Sequence, residues 1–240
     1  MSPLDRHEKI ALSFSGGKDS TAVVHLLREH LHRICVYHVD TGDLLPEMVD
    51  AVRWTERICP NFVRIETHVG DWIAENGLPT DVLPHSQHQI GRLMAESDRK
   101  LVGRYDCCGA NLMTPLFRRV RDDGNTLLIR GTKRADMRKL PVETGFVHEG
   151  VEIWNPLQEW THQQVFDYLA AHDIKLPPIY NHVTNAPECA RCSAWWGEGR
   201  AEYLKAHHPD LFRDYQDRLR IVVEELQQPL RLLQHEFTGV

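Results

Sequence analysis

Apolar residues in this chain follow two rhythms. Short runs read as buried strands: Ile10–Leu12, Arg33–Asp40, Phe62–Ile65, Thr126–Ile129 and Val147–Trp154. Between them apolar positions recur every three or four residues, the spacing of a helix with one buried face. Ala22, Val23, Val24, Leu26 and Leu27 form one such face. Met48, Val49, Val52, Trp54 and Ile58 form another behind Pro46, which suits a first helical position. Asp71–Glu75 reads as a short helix, and Leu112, Leu116 and Val120 as a further face. Thr161 is placed to cap a helix through Ala171 with Val165, Tyr168 and Leu169 inward, before Pro177-Pro178 stops the region. Strands alternating with helices predict an α/β fold with an open, mostly parallel twisted sheet and helices on both faces.

Two stretches depart from that alternation. Residues 78–106, with Pro79, Pro84, His85 and His88, keep neither rhythm and read as loop-like or lid-like. From about Gly199 the pattern is helical to the end, with Phe212, Tyr215, Leu219, Val222, Leu226, Leu230 and Leu233 on one stripe that Pro229 should kink or break. The expected organisation is a nucleotide-binding α/β domain over residues 1–196 and a helical extension over 197–240. The stripe fits core packing or a homodimer face better than a cofactor site.

Composition narrows the function classes. Apolar residues make up 42% of the 240 and charged residues 26%, and no apolar run approaches a membrane span. A cytoplasmic protein with no membrane partner is expected. A net charge of −6 argues against coating nucleic acid through overall charge. Yet Arg118–Lys139 carries eight basic residues against three acidic ones, a local excess that suggests an anionic ligand as well as a solvated face. Six cysteines in such a chain point to metal or redox chemistry rather than disulfides.

The chemistry-bearing stretch is Leu12-Ser13-Phe14-Ser15-Gly16-Gly17-Lys18-Asp19-Ser20-Thr21, which reads as strand, tight turn, helix. Two glycines let backbone amides approach an anion, and a helix N-terminus adds donors and partial positive charge. Ser15, Ser20 and Thr21 offer hydroxyls and Lys18 a point charge for phosphate. Asp19 beside phosphates reads as a helix cap, a Mg²⁺ partner, or both. A Walker A loop is excluded, because Leu12 stands where its first glycine belongs. A second strand ends in Asp40-Thr41-Gly42, a natural place for the adenosine half of a nucleotide. A fourth strand delivers Arg130-Gly131-Thr132-Lys133-Arg134-Ala135-Asp136 at its carboxyl end.

Cys107-Cys108 and Cys189-x-x-Cys192 are the second signal. Adjacent cysteines suit one tetrahedral zinc poorly, whereas a cluster with irons at several corners accepts neighbouring thiolates more readily. Cys35 reads as a core residue, and Cys59 as unattached to this set.

In sequence, the S-G-G-K-D-S loop resembles the PP-loop of the ATP pyrophosphatase superfamily. Together with the tandem Cys-Cys, the G-x-[KR]-x-x-[DE] strand end, Asn155-Pro156-Leu157-Gln158-Glu159-Trp160-Thr161 and the later C-x-x-C, it is similar to the phosphoadenylyl-sulfate and adenylyl-sulfate reductase family over roughly residues 8–196. The resemblance implies an adenine nucleotide alpha hydrolase-like fold. It also implies a 4Fe–4S cluster on Cys107, Cys108, Cys189 and Cys192, and nucleotide contacts from Ser13, Ser15, Gly16, Gly17, Lys18, Asp19, Ser20, Asp40, Gly131, Lys133, Arg134 and Asp136.

Three departures redirect the expected chemistry. No cysteine follows Cys192, where the reductases carry a catalytic cysteine near the C-terminus. The PP-loop is intact, although the reductases tend to have a degenerate one. Asn111 and Leu112 stand where Arg-Lys often follows the reductase Cys-Cys. The expectation is therefore that Lys18, Asp19 and Ser20 support cleavage of Mg²⁺-ATP between the α- and β-phosphates. An acceptor, a small anion or a nucleic acid, would be adenylylated in a reaction coupled to sulfur chemistry, with a sulfur donor such as a cysteine desulfurase as partner. Sulfonucleotide reduction with a thiol from elsewhere is the alternative enzyme reading, and a nucleotide-binding iron-sulfur redox sensor the non-enzyme one.

Overall fold

The computed structural model describes residues 2–82, 101–137, 142–197 and 199–239. Strand β1 (Ile10–Ser13) lies at the centre of a six-stranded sheet, because Ile10, Ala11 and Leu12 are all buried and need cover on both faces. The chain runs from β1 through α2 (Lys18–Leu26) to β2 (Ile34–Asp40), and through α3 (Pro46–Ile58) to β3 (Phe62–Glu66). A short α1 (Pro3–Arg6) precedes β1. The sheet order is β3-β2-β1-β6-β8-β7, with β6 at Leu127–Ile129, β7 at Val147–His148 and β8 at Val151–Trp154. All pairings in it are parallel except β7 with β8.

The expected fold class therefore holds, and its topology makes a crevice. From β1 the chain builds outward through β2 and β3, then crosses back to place β6 on the other side of β1. The loops after β1 and β6 consequently diverge at the carboxyl edge, where α/β sheets bind ligands. Alternation along the strands divides the core. Ile10, Leu12, Ile34, Val36, Leu127 and Ile129 pack with α2 and with α7 (His162–Ala171). Ala11, Tyr37, Leu128 and Ile153 pack on the opposite face with α6 (Thr114–Asp122). Helix α7 starts as its sequence predicts: Thr161 and Gln164 form a reciprocal capping box.

Val147–Trp154 is a hairpin rather than one strand. Glu149 (φ 46°) and Gly150 (φ 81°) form a two-residue turn, whose twist matches antiparallel strands. Trp54 and Ile58 of α3 are exposed; Met48 and Val52 carry that helix's buried face. The short helix expected at Asp71–Glu75 is α4 (Val69–Asn76), and the stretch read as loop-like opens with β4 (Leu78–Thr80), which pairs in parallel with β5 (Leu101–Gly103). The remainder of the lid-like reading, including Pro84, His85 and His88, lies outside the described residues, as do Arg138 and Lys139 of the basic run.

Helix α5 (Arg104–Cys108) runs through a π-turn (Gly109–Met113) into α6. The C-terminal helices are α8 (Arg200–His207) and α9 (Pro209–Thr238), and α9 continues through Pro229 without a break. Tyr203, Leu204 and Tyr215 are buried with Leu45 and Met48, and Val222 with Leu78 and Leu101. Leu230, Leu233 and Phe237 extend beyond these contacts and are exposed. No helix among the described residues is long and apolar enough to cross a membrane.

Candidate nucleotide site and cysteine cavity

The turn after β1 is held by its own hydroxyls. The Ser20 hydroxyl donates to the Gly17 carbonyl (3.0 Å) and accepts from the Ser15 amide (3.3 Å). The Gly17 amide donates to the Ser15 hydroxyl (3.3 Å). Gly16 has φ 84°, and a Cβ there would press on Val52 of α3 at 3.2 Å. Gly17 is the N-cap of α2 with no side-chain cap, and a Cβ on it would stand 2.9 Å from the Tyr180 hydroxyl. That hydroxyl accepts from the Lys18 amide (3.0 Å).

Asp19, expected as a cap or a metal partner, does not cap the helix. It bridges two buried ammonium groups instead. Oδ2 pairs with Lys18 Nζ and Oδ1 with Lys133 Nζ, both at 2.9 Å, while the lysine side chains are 1% and 0% exposed. Lys18 Nζ also donates to Asn185 Oδ1 (2.8 Å) and lies near the rings of Phe166 and Tyr180. Burial pushes the Lys18 pKa down, the Asp19 carboxylate opposes this, and the Lys133 charge adds to it. Lys133 pairs in addition with Asp136, whose carboxylate accepts from the Lys133 amide (3.0 Å).

Other residues expected at the nucleotide divide into two groups. Gly131 packs so tightly on α2 that a Cβ would meet the Asp19–Ser20 backbone at 3.0 Å, so only glycine fits without a shift. Ser13 ends β1 at the same edge. Asp40, at the end of β2, accepts from the Gly42 amide (3.0 Å) and from Arg64 (2.9 Å). Burial works against its charge, but these two partners prevail and hold the carboxyl below its ordinary range. Arg134 is turned outward onto Glu143 and Glu159, both at 2.8 Å, and the structure does not bring it to the lysines. The basic run is likewise dispersed: Arg119 pairs with Asp123, and Arg121 with Asp122 and Glu149.

The four cysteines of the two sequence pairs line one small cavity together with Asp43, Arg104 and Arg218. None is in a disulfide. Burial pushes Cys107 up to about 11, and the neighbouring Cys192 charge adds to the effect. Burial, then Glu188, Cys192 and Cys107, push Cys108 up to about 12. Cys189 and Cys192 are raised as well, again chiefly by burial. Four thiols that resist ionisation and repel one another as anions are a donor set suited to a cationic centre. Among the described residues no three histidine, cysteine or carboxylate groups converge on one point as a single ion requires.

One segment joins the two sites, and sequence reasoning missed its role. Tyr180 and Asn185 contact Lys18, and four residues after Asn185 the Cys189 sulfur lies 3.6 Å from the Thr41 hydroxyl at the end of β2. The Ala190 amide donates to the Asp43 carbonyl, and the Arg191 guanidinium pairs with the Asp43 carboxylate, both at 2.6 Å. The only sequence signal was the position of these polar residues between Pro177-Pro178 and the C-x-x-C.

Comparison with known proteins gives consistent results. The chain is 30% identical over 110 residues to the adenosine 5'-phosphosulfate reductase of Deinococcus radiodurans, a match covering 40% of this chain and 43% of that protein. Longer matches join it to proteins of the same name from Burkholderia cepacia (24% identity, 82% and 79% of the two chains) and Allochromatium vinosum (21%, 80% and 75%). In fold it is similar to phosphoadenylyl-sulfate reductase from Candida auris in a phosphate complex, at a TM-score of 0.51 and 14% identity over 75% of this chain and 80% of that one. The sequence profile of the phosphoadenosine phosphosulfate reductase domain matches residues 9–194, and the chain belongs to that family.

Proposed function

We propose that the chain is an adenine-nucleotide enzyme of sulfur metabolism that carries out adenylyl transfer from ATP and holds a 4Fe–4S cluster on Cys107, Cys108, Cys189 and Cys192. The observation that carries the adenylyl-transfer reading is where the thiols lie. The four cysteines of the cavity are the cluster's ligands, Cys35 is half-buried in β2, and Cys59 is buried at the end of α3. Among the described residues no thiol contacts the Lys18–Asp19–Lys133 group, and its two buried ammonium groups beside the Gly-Gly turn suit phosphoryl chemistry. In the proposed reaction an acceptor oxygen attacks the α-phosphorus, the bond to the bridging oxygen breaks, and pyrophosphate leaves. Loop amides and the two lysines stabilise the charge that develops on the leaving group. Mg²⁺ arrives on the nucleotide's own phosphates, since both Asp19 oxygens are taken by lysines. A bound cluster would supply electron transfer or sulfur handling beside the loop.

A second reading, reduction of an adenylyl sulfate to sulfite, is favoured by the names of the relatives that match across about three quarters of their length. It needs a thiolate from another chain or segment. The two readings separate on products. Anaerobically prepared protein should contain about four irons per chain, and Cys108→Ser or Cys192→Ser should abolish them. With the right acceptor it should release pyrophosphate from ATP, and Lys18→Ala should cut turnover by about 10²-fold. Sulfite formed from adenylyl sulfate with a dithiol reductant, and no pyrophosphate from ATP, would replace the first reading by the second. Stoichiometric zinc without iron would sink the cluster assignment in both.

A further inference from the structure

The basic groups around the carboxyl edge can be sorted by what already neutralises them. Lys18 and Lys133 share Asp19 and Asp136. Arg64 is held by Asp40 and Glu56, Arg134 by Glu143 and Glu159, and Arg191 by Asp43 and Asp214. Arg130 differs. It follows β6 directly and is only partly exposed, and no carboxylate or other acceptor among the described residues reaches its guanidinium. Burial pushes its pKa down with nothing opposing it. A guanidinium cannot shed its charge at ordinary pH, so this partly buried, unpaired cation stays charged in the folded state and open to an anion.

Its position follows from the ladder. The Arg130 amide donates to the Trp154 carbonyl (2.9 Å), which extends the β6–β8 pairing by one residue. On the other side, the Leu12–Ile129 pairing makes Ser13 its neighbour on β1. Strand alternation puts Arg130 on the face of Leu128, which α6 covers, while Gly131 turns the opposite way onto Asp19 and Ser20. Helix α6 joins β6 by a short turn and runs antiparallel to it, so its start is at the same carboxyl edge, just after Cys107-Cys108 and the π-turn. The backbone of Arg130 is thus fixed to the loop on one side, and its side chain lies on the side of the edge where the cysteine-bearing helix enters.

We propose that Arg130 is an oxyanion-binding residue of this crevice, taking a phosphate- or sulfate-type group by its two-pronged N–H fork on the sheet face that leads to the cysteines. The inference rests on the nucleotide reading only for its assumption that the crevice is the ligand site. The oxyanion belongs either to the nucleotide or to its co-substrate, and the guanidinium's fork suits either.

The test uses the full chain and four probes: inorganic phosphate, sulfate, AMP and adenosine, each titrated by calorimetry against wild type, Arg130→Gln, Arg130→Met and Arg130→Lys. Wild type should bind at least one of the oxyanions, and the Gln and Met variants should lose about tenfold or more of that affinity while Lys keeps part of it. If AMP falls with Arg130→Gln, the nucleotide supplies the oxyanion; if only sulfate or inorganic phosphate falls, the co-substrate does. Added phosphate or sulfate should raise the Tm of wild type more than that of Arg130→Met. Oxyanion binding that depends on Arg130, with no binding of AMP or adenosine, would leave the proposal standing and remove the nucleotide reading. Oxyanion affinities unchanged in both the Gln and Met variants, or no oxyanion binding by wild type, would overturn it.

Discussion

At the scale of single residues, the site is organised by Asp19. Two buried ammonium groups lie 2.9 Å from its two oxygens. Asp19→Asn should leave Lys18 and Lys133 repelling each other in a desolvated pocket. A loss of about 2–3 kcal/mol is expected, the lower end for a broken buried pair because Asp19 itself is partly exposed, and thermal denaturation reads it directly. Added pyrophosphate should restore part of the loss, and a Tm equal to wild type would show that the lysines do not depend on Asp19. Asp40 gives a pH-dependent counterpart. Its carboxyl is held below its usual 3.8 in the folded chain by the Gly42 amide and Arg64, despite burial. The stabilisation is therefore present above pH 3.8 and lost as pH falls through the lower folded value. Asp40→Asn should flatten the decline of Tm in that acidic window and leave its slope near neutrality unchanged.

At the scale of elements, two departures from the sequence pattern carry their own tests. The β7–β8 hairpin needs left-handed backbone at two successive residues, and Gly150 supplies one of them in open space. Gly150→Ala should therefore cost about 1 kcal/mol through conformation alone and lower Tm by about 2–4 °C. Pro229 is inside α9, where it removes one backbone donor. Beyond it Leu230 and Phe237 are 51% and 90% exposed, so few packing contacts transmit that local cost to the core. Pro229→Ala should raise helix content by circular dichroism while Tm stays nearly constant. A large rise in Tm would mean that this end of the helix is coupled to the folded body.

At the scale of the whole molecule, the C-terminal helices support the site from beneath. Leu204 of α8 is fully buried in the cluster that contains Met48, and a Cβ on Gly16 would lie 3.4 Å from the Met48 carbonyl. Leu204→Ala should cost about 2–5 kcal/mol through the cavity it leaves. It should also weaken oxyanion binding at the loop, measured at a temperature where the variant remains folded. Unchanged affinity would show that the loop is set by β1 and α2 alone.

Much of this architecture was legible in the chain because it depends on local rules. Apolar runs bounded by Gly-Gly and Asp-Thr-Gly located the central strands, Thr161 located a helix start, and two spaced cysteine pairs drew attention to the residues that line the cavity. The Val147–Trp154 turn was hidden because Glu149 is an uncommon residue for positive φ. The roles of Tyr180 and Asn185 were not legible, since their contacts with Lys18 span 162 and 167 residues. Pairing of charges was equally out of reach. Sequence counted Lys133, Arg134 and Arg130 as one basic run, and only the fold gave the first to Asp19, turned the second to the surface and left the third without a partner. Residue type and short spacing determine strands, turns, caps and candidate ligands, because those depend on neighbours within a few residues. Which charges are neutralised, and which remain for a ligand, is decided only when the sheet brings distant segments together at one edge.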